Sequence, residues 1–208
     1  MRYYIADCHF YHKDLLTQLD QRGFATVEEM NNYMIARWNE KVKKRDEVVI
    51  LGDFSMGDAG QTNAILERLQ GKLYLITGNH DNRFLRNKSF HRERFQWIAP
   101  YAEMHDEGRK VVLCHYPIMC YNGQYSRDKK GEPRSYMLYG HVHDSHDETL
   151  VRQFVDMTQS TRIVDREGNP QTLSCNMINC FCMYSDYTPL SLDEWLALHR
   201  EQEKRKAL

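Results

Sequence analysis

One feature constrains this chain more than any other: a short apolar run that stops abruptly at a turn carrying Asp, Asn or His, and then recurs. Tyr3-Tyr4-Ile5-Ala6 ends in Asp7-Cys8-His9, and Glu47-Val48-Val49-Ile50-Leu51 ends in Gly52-Asp53-Phe54. Leu73-Tyr74-Leu75-Ile76 is followed, one residue on, by Gly78-Asn79-His80-Asp81. Apolar runs closed by a glycine turn read as buried strands. Between the first two lies Thr26-Val27-Glu28-Glu29, with capping-box spacing, and Met30, Met34, Trp38 and Val42 then recur every four residues. That spacing predicts a helix over 27–44 with one apolar stripe. A second helix is predicted over 61–70, with Ala64, Ile65, Leu66 and Leu69 on its apolar side. The β-α-β-α-β alternation argues for an α/β sheet with helical cover, and ligands of such sheets bind at the carboxyl edge of the strands.

Further along, 82–98 reads as a mixed polar and aromatic helical stretch. Tyr101 to His105 and Lys110 to Cys114 flank Asp106-Glu107-Gly108-Arg109, a hairpin signal, and the second arm ends in His115. The polar stretch between Pro117 and Met137 has no consistent period and reads as a long loop, of the kind that tends to be functional. Tyr136 to Tyr139 is a strand ending in Gly140-His141-Val142-His143, and 147–160 favours helix. Asp165 to Pro170 reads as a turn between strands and Thr172 to Met183 as mostly strand. Ser191-Leu192-Asp193-Glu194 repeats the capping-box spacing and starts a final helix, with a charged end at Glu201 to Lys206 that reads as frayed. No internal repeat or linker interrupts the chain, so residues 1–208 are taken as one domain.

Lys and Arg (28) nearly balance Asp and Glu (29), a formal charge of -1, which removes the basic field that dominates binding to long nucleic acids. The first residues meet Asp7 before any signal-peptide core forms, and no apolar run approaches membrane-spanning length, so a cytoplasmic location is expected. The six cysteines lack zinc-finger spacing and read as reduced thiols packed mostly in strands.

Five separated segments thus end in Asp, Asn or His: Asp7 with His9, Asp53, Asn79 with His80, His115, and His141 with His143. Carboxylate, imidazole and amide oxygen together suit borderline or hard divalent ions such as Mn, Fe or Zn. Even with one of these side chains set aside for other work, the remainder are too many for one ion with an open position and the right number for two ions sharing a carboxylate. A single histidine after a strand is ordinarily a packed or surface residue, and His12, His91, His105, His146 and His199 take that interpretation by default.

In their order, Asp7-x-His9, Gly52-Asp53, Gly78-Asn79-His80-Asp81, His115 and Gly140-His141-x-His143 resemble the calcineurin-like metallophosphoesterase superfamily. His9-Phe10-Tyr11-His12-Lys13, Cys114-His115-Tyr116-Pro117 and Tyr187-x-Pro189-x-Ser191-Leu192 are similar to its small bacterial single-domain members. The resemblance implies a four-layer α/β/β/α sandwich of two mixed sheets with flanking helices, and two divalent ions (Mn, Fe, Zn or Ni). By that resemblance Asp7, His9 and His143 hold one ion, Asn79, His115 and His141 the other, and Asp53 bridges them. A metal-bound hydroxide would attack phosphorus, His80 would protonate the leaving oxygen, and Asp81 would orient the His80 ring. His12 and Lys13 near the metal edge, Arg83 and Arg86 after the catalytic turn, and Asn122, Tyr125, Arg127 and Arg134 on the long loop are candidate substrate contacts.

The function so implied is hydrolysis of a phosphomonoester or phosphodiester of a small or nucleotide-like substrate. Phe54-Ser55-Met56-Gly57 and Asp81 stand where protein phosphatases of the superfamily carry Arg and Glu, which disfavours protein substrates. Two rivals are a nuclease acting on short oligonucleotides and a non-catalytic interaction scaffold on the same fold. Scaffolds are expected to lose ligands, and here every expected position is filled.

Overall fold

The computed structural model describes residues 1–164, 167–172 and 175–206. β1 (Arg2–Ile5), β2 (Glu47–Leu51), β3 (Lys72–Ile76) and β4 (Phe95–Ala99) form one sheet in that order, every neighbour parallel. β5 (Tyr101–Asp106), β6 (Arg109–Cys114) and β7 (Ser135–Tyr139) begin a second sheet. β8 (Arg162–Val164) and β9 (Pro170–Thr172) make a separate antiparallel ribbon, and β10 (Met177–Asn179) returns beside β7. In the second sheet only β5 and β6 are antiparallel. The first sheet is therefore parallel in its four strands, where a mixed sheet is expected from the resemblance; its antiparallel element shrinks to one bridge, Tyr4 to Leu190.

Side-chain alternation along the strands sorts the layers. Tyr3, Ile5, Val48, Ile50, Leu73 and Leu75 face outward and pack under α1 (Val27–Lys41) and α2 (Ala59–Arg68). Their neighbours Tyr4, Val49, Leu51 and Ile76 face Val111, Leu113, Leu138 and Ile178 of the second sheet. On the far side Val112, Met137 and Tyr139 lie under Val151 of α4 (His146–Ser160). The result is the α/β/β/α sandwich, in which each fully buried large side chain contributes about 1.5–3 kcal/mol. α5 (Leu192–Lys206) adds Leu192 and Trp195 to the core between the sheets, and Trp195 Nε1 donates to Tyr4 O at 3.0 Å.

Local chemistry sets the element ends. The Thr26 hydroxyl accepts the Glu29 N–H (3.1 Å) and starts α1, which closes at Lys41, three residues before its predicted end. α2 begins at Ala59 because Asp58 and Gln61 form a reciprocal capping box, a signal the sequence reading passed over. With that shift Thr62 and Asn63 turn inward and Ala64 outward. The β5–β6 turn places Glu107 (φ 48°) and Gly108 (φ 78°) in the left-handed region that a two-residue hairpin requires. Ser191 and Glu194 cap α5, which stays helical through its charged end to Lys206.

Two stretches differ from the sequence reading. The span 82–98 is one short helix, α3 (Asn82–Leu85), a 3-10 turn at Arg92–Arg94, and then β4; pairing with β3 overrides a composition that favoured helix. Among the described residues of 172–183, Thr172 closes β9 and Met177–Asn179 is a strand, followed by a 3-10 turn at Cys182–Ser185, while residues 165, 166, 173 and 174 lie outside the described residues. Hence Cys175, Cys180 and Cys182 are buried free thiols outside the strands.

The segment after β10 joins the two sheets. Cys180 N–H donates to Tyr139 O (2.8 Å), Ala6 N–H donates to Cys180 O (2.8 Å), and Cys182 N–H donates back to Ala6 O (3.1 Å). Among the described residues no helix is long and apolar enough to cross a membrane.

Candidate metal centre

The carboxyl ends of β1, β2, β3, β6 and β7 deliver their polar turns to one place. The His115 ring ties the two sheets across it, with Nδ1 donating to Leu51 O at 2.8 Å. Two groups of ligand-type side chains assemble there: Asp7, His9 and His143, and Asp53, His115 and His141, the atoms within each group lying within 4.8 Å of one another. Asn79 joins the second group, its Oδ1 3.1 Å from His115 Nε2. Asp53 Oδ2 stands between the groups, 3.6 Å from His9 Nε2 and 3.4 Å from His115 Nε2.

The backbone is held in an uncommon shape to achieve this. Asp7 (φ 56°), His9 (49°), Asp53 (51°), His141 (72°) and His143 (49°) all occupy the left-handed region. Each such residue costs of order 1–3 kcal/mol unless its surroundings enforce it. Two glycines make room. A Cβ on Gly78 would collide with the Asp53 carboxylate, and one on Gly140 would sit 2.5 Å from Asp7 Oδ2. The Asp7 carboxylate also accepts the His141 N–H at 3.0 Å.

The geometry calls for a cation. Leu51 O and the Asp20 carboxylate can only accept, so His115 and His143 carry their protons on Nδ1, the latter donating to Asp20 Oδ1 at 2.7 Å. In the neutral rings both Nε2 atoms are then bare lone pairs. His143 Nε2 faces His9 Nε2 at 3.1 Å, and His115 Nε2 faces an amide oxygen and a carboxylate oxygen. Around His115, acceptors converging on acceptors repel unless positive charge stands between them, whereas His9, whose buried Nδ1 has no partner, can turn an Nε2–H toward His143. In the metal-free protein a proton fills part of that role: burial lowers the His115 pKa, but the Asp53 and Asp7 carboxylates outweigh it and hold the ring up to about 9. Burial pushes Asp7 up to about 6, whereas for Asp53 the neighbouring histidines overcome burial and keep it ionised. A mixed imidazole, carboxylate and amide set, lined up as lone pairs, fits two divalent ions.

His80 stands over this floor without joining it. Its N–H donates to Asp53 Oδ1 (2.9 Å), and its half-exposed ring lies 5.5 Å from the ring of His9. Asp81 is placed otherwise than expected. Its buried carboxylate accepts the N–H groups of Gly78 (2.7 Å), Asp53 (3.0 Å) and Phe54 (2.8 Å), so it fixes two ligand-bearing turns and not the His80 ring.

A cleft of about 330 Å³ opens over the site, lined by His9, Asp53, Asn79, His80, His141 and His143, with His12, Leu19 and Asp147 at its edges. Of the candidate substrate contacts only His12 lines it. Lys13 and Arg83 are exposed outside its lining. Asn122 donates to the Glu103 carboxylate, Arg127 to Gly131 O, and Arg134 to Gly108 O. The reason is topological: β6 and β7 are parallel, so the loop leaving His115 must run back the length of the sheet. Its arginines end at the opposite edge.

Several participants escape any reading of spacing. Asp20 orients His143, and Arg22 holds Asp20. Asn179 Nδ2 binds His143 O (2.9 Å) and the buried Glu148 carboxylate (3.0 Å). The Tyr116 ring lies 4.6 Å from that of His141. Asp20 and Arg22 stand at the end of no apolar run, Asn179 closes one of only two residues, Met177-Ile178, and Tyr116 stands beside the more conspicuous His115.

The chain is similar to several known proteins. A Mycobacterium phage L5 protein, the gene 66 product, is 30% identical over 161 residues, 68% of this chain and 76% of its own length. An uncharacterised protein of Methanocaldococcus jannaschii, MJ1445, is 32% identical over 146 residues, covering 69% of this chain and 70% of its own. The crystal structure of a protein of unknown function, AQ665 from Aquifex aeolicus, superposes with a TM-score of 0.59 at 20% identity over 100% of this chain and 99% of that one, a likeness of fold. The profile of the calcineurin-like phosphoesterase superfamily domain matches residues 4–164, and the chain belongs to that superfamily.

Proposed function

We propose that the protein hydrolyses a phosphomonoester or phosphodiester of a small or nucleotide-like molecule with the help of two divalent ions. The observation that carries this is Asp53 Oδ2, which stands between two sets of convergent lone pairs. Asp7, His9 and His143 would hold one ion, Asn79, His115 and His141 the other, and Asp53 both. Two ions so held supply a water-derived nucleophile near neutral pH and neutralise charge on the phosphoryl oxygens. The protein's own contribution is positional and acidic. Asp81 fixes the turns, Asp53 Oδ1 holds the His80 main chain, and the His80 ring faces the cleft, free to give a proton to the departing oxygen. A cleft of about 330 Å³ suits one small ester and not a folded protein.

The test is turnover of bis(p-nitrophenyl) phosphate and p-nitrophenyl phosphate with Mn, Fe, Ni or Zn. Hydrolysis that a chelator abolishes is the expected result, and the faster of the two substrates identifies diesterase or monoesterase. His80→Ala should keep its metal content and lose about 10²- to 10⁴-fold in turnover. Turnover of neither ester with any of the four ions would instead favour a binding scaffold.

A further inference from the structure

One ligand set is backed by a buried ion pair that, among the described residues, has no counterpart behind the other. The Arg22 side chain is fully buried and the Asp20 side chain nearly so. Arg22 Nε and Nη2 donate to Asp20 Oδ2 (3.1 and 3.0 Å), Nη1 donates to Cys8 O (2.7 Å), and Nη2 also donates to Asp7 O (2.9 Å). One guanidinium thereby grips the main chain of the Asp7–His9 turn, whose two ligand residues are both left-handed. Through Asp20 Oδ1 it also fixes the ring of His143, a ligand from the other sheet. The Tyr187 ring packs over the guanidinium, 5.6 Å from its centre, and shuts out water. Gln21, between the paired residues, is itself left-handed (φ 51°), and Arg22 N–H is anchored to Leu15 O at 2.9 Å. The loop is thus bent and tied so that both side chains reach inward.

The second ligand set is held differently. His115 donates to a neutral carbonyl, Leu51 O, and His141 and Asn79 are exposed to the cleft. A carboxylate behind a ligating imidazole raises its basicity and fixes its tautomer more strongly than a carbonyl does. Arg, with its rigid fork, can bind a carboxylate and two carbonyls at once, which Lys cannot.

We propose that Arg22 and Asp20 form a positioning clamp dedicated to the Asp7–His9–His143 ion, so that changing either residue weakens that ion alone. The proposal rests on the two-ion reading above, yet its test requires no substrate. Metal-free protein is titrated with Mn²⁺, with free Mn²⁺ followed by electron paramagnetic resonance. Wild type should take two ions per chain. Asp20→Asn, of the same shape, should weaken one ion about 10- to 100-fold and leave the other within about 2-fold. Arg22→Lys, which keeps the charge but loses the fork, should do the same. His141→Ala should weaken the other ion, and the double variant with Asp20→Asn should weaken both.

A second readout separates positioning from general structural damage. In the metal-free protein, ¹⁵N signals of the histidine rings should show His143 protonated on Nδ1 in wild type and a mixed tautomer in Asp20→Asn. Circular dichroism should match wild type. Equal weakening of both ions, or wild-type affinity for both in Asp20→Asn and Arg22→Lys, overturns the clamp. A wild-type protein that takes up no Mn²⁺ overturns the two-ion reading itself and the clamp with it.

Discussion

Replacing Asp81 by Ala separates a scaffold from a catalytic partner. The carboxylate is fully buried and accepts three main-chain N–H groups, from Gly78, Asp53 and Phe54. Removing it orphans all three, and a buried donor without a partner costs about 1–3 kcal/mol, so the loss is about 3–9 kcal/mol, or about 3–5 if a water enters the space. Against a total stability of about 5–15 kcal/mol the variant is crippled but can still fold. Asp81→Asn keeps one acceptor oxygen and should cost about 1–3 kcal/mol. Urea unfolding of metal-free protein, followed through the buried Trp38 and Trp195, measures this directly. With an m-value of about 2 kcal/mol/M, Asp81→Ala should lower the midpoint by about 1.5–2.5 M where a water enters the space and by up to about 4.5 M where none does. The reasoning is refuted if the midpoint moves by less than about 0.3 M while turnover falls as far as in His80→Ala. Asp81 would then act through His80 and not through the backbone.

Gly140→Ala should drive a Cβ into the Asp7 carboxylate and the Ala6 methyl, at 2.5 and 2.6 Å, and elemental analysis should find the purified protein depleted of metal. Arg134→Ala, at the far edge of the sheet, should leave kcat and KM for the model esters within about 2-fold of wild type, since its guanidinium binds Gly108 O away from the cleft. In the metal-free protein His115 is held up to about 9, above its usual 6.5, so its protonated form adds stability that is complete below about pH 6.5 and lost as pH rises through 9. Thermal midpoints of metal-free protein should therefore fall between pH 6.5 and 9.5. The same proton competes with a bound ion, so adding Mn²⁺ near pH 7.5 in weak buffer should release protons.

What the sequence disclosed and what it hid divide along one physical line. A strand end is a local event: an apolar run, a glycine and a polar side chain are adjacent in the chain, so Asp7, Asp53, Asn79, His115 and His141 could be picked out before any fold was known. The two faces of the first strand came from the structure, which sends Tyr3 and Ile5 to one layer and Tyr4 and Ala6 to the other. The supporting groups obey no such rule. Asp20 meets His143 across 123 positions and Asn179 meets it across 36, and neither stands in a periodic segment. Asp81 was visible beside His80, but its partners Asp53 and Phe54 come from another strand, so its role could not be read from its neighbours. The long loop misled for the same reason: its composition suits phosphate, while the parallel pairing of β6 and β7 carries it away from the site.

The segment that joins the sheets also sets an order of events. Cys182 hydrogen-bonds through sulfur to Asp7 O, a contact between residues 175 positions apart, and Ala6 pairs with Cys180 and Cys182. At ribosomal speeds of about 5–20 residues per second, that partner emerges on the order of 10–35 s after β1. During this interval Tyr3-Tyr4-Ile5-Ala6 presents an open strand edge, a template for pairing with another chain. Docking β1 on β2 leaves this edge open, because Leu190, Cys180 and Cys182 pair with the side of β1 away from β2. The Asp7 turn gains its last main-chain support only when Cys180 and Cys182 arrive.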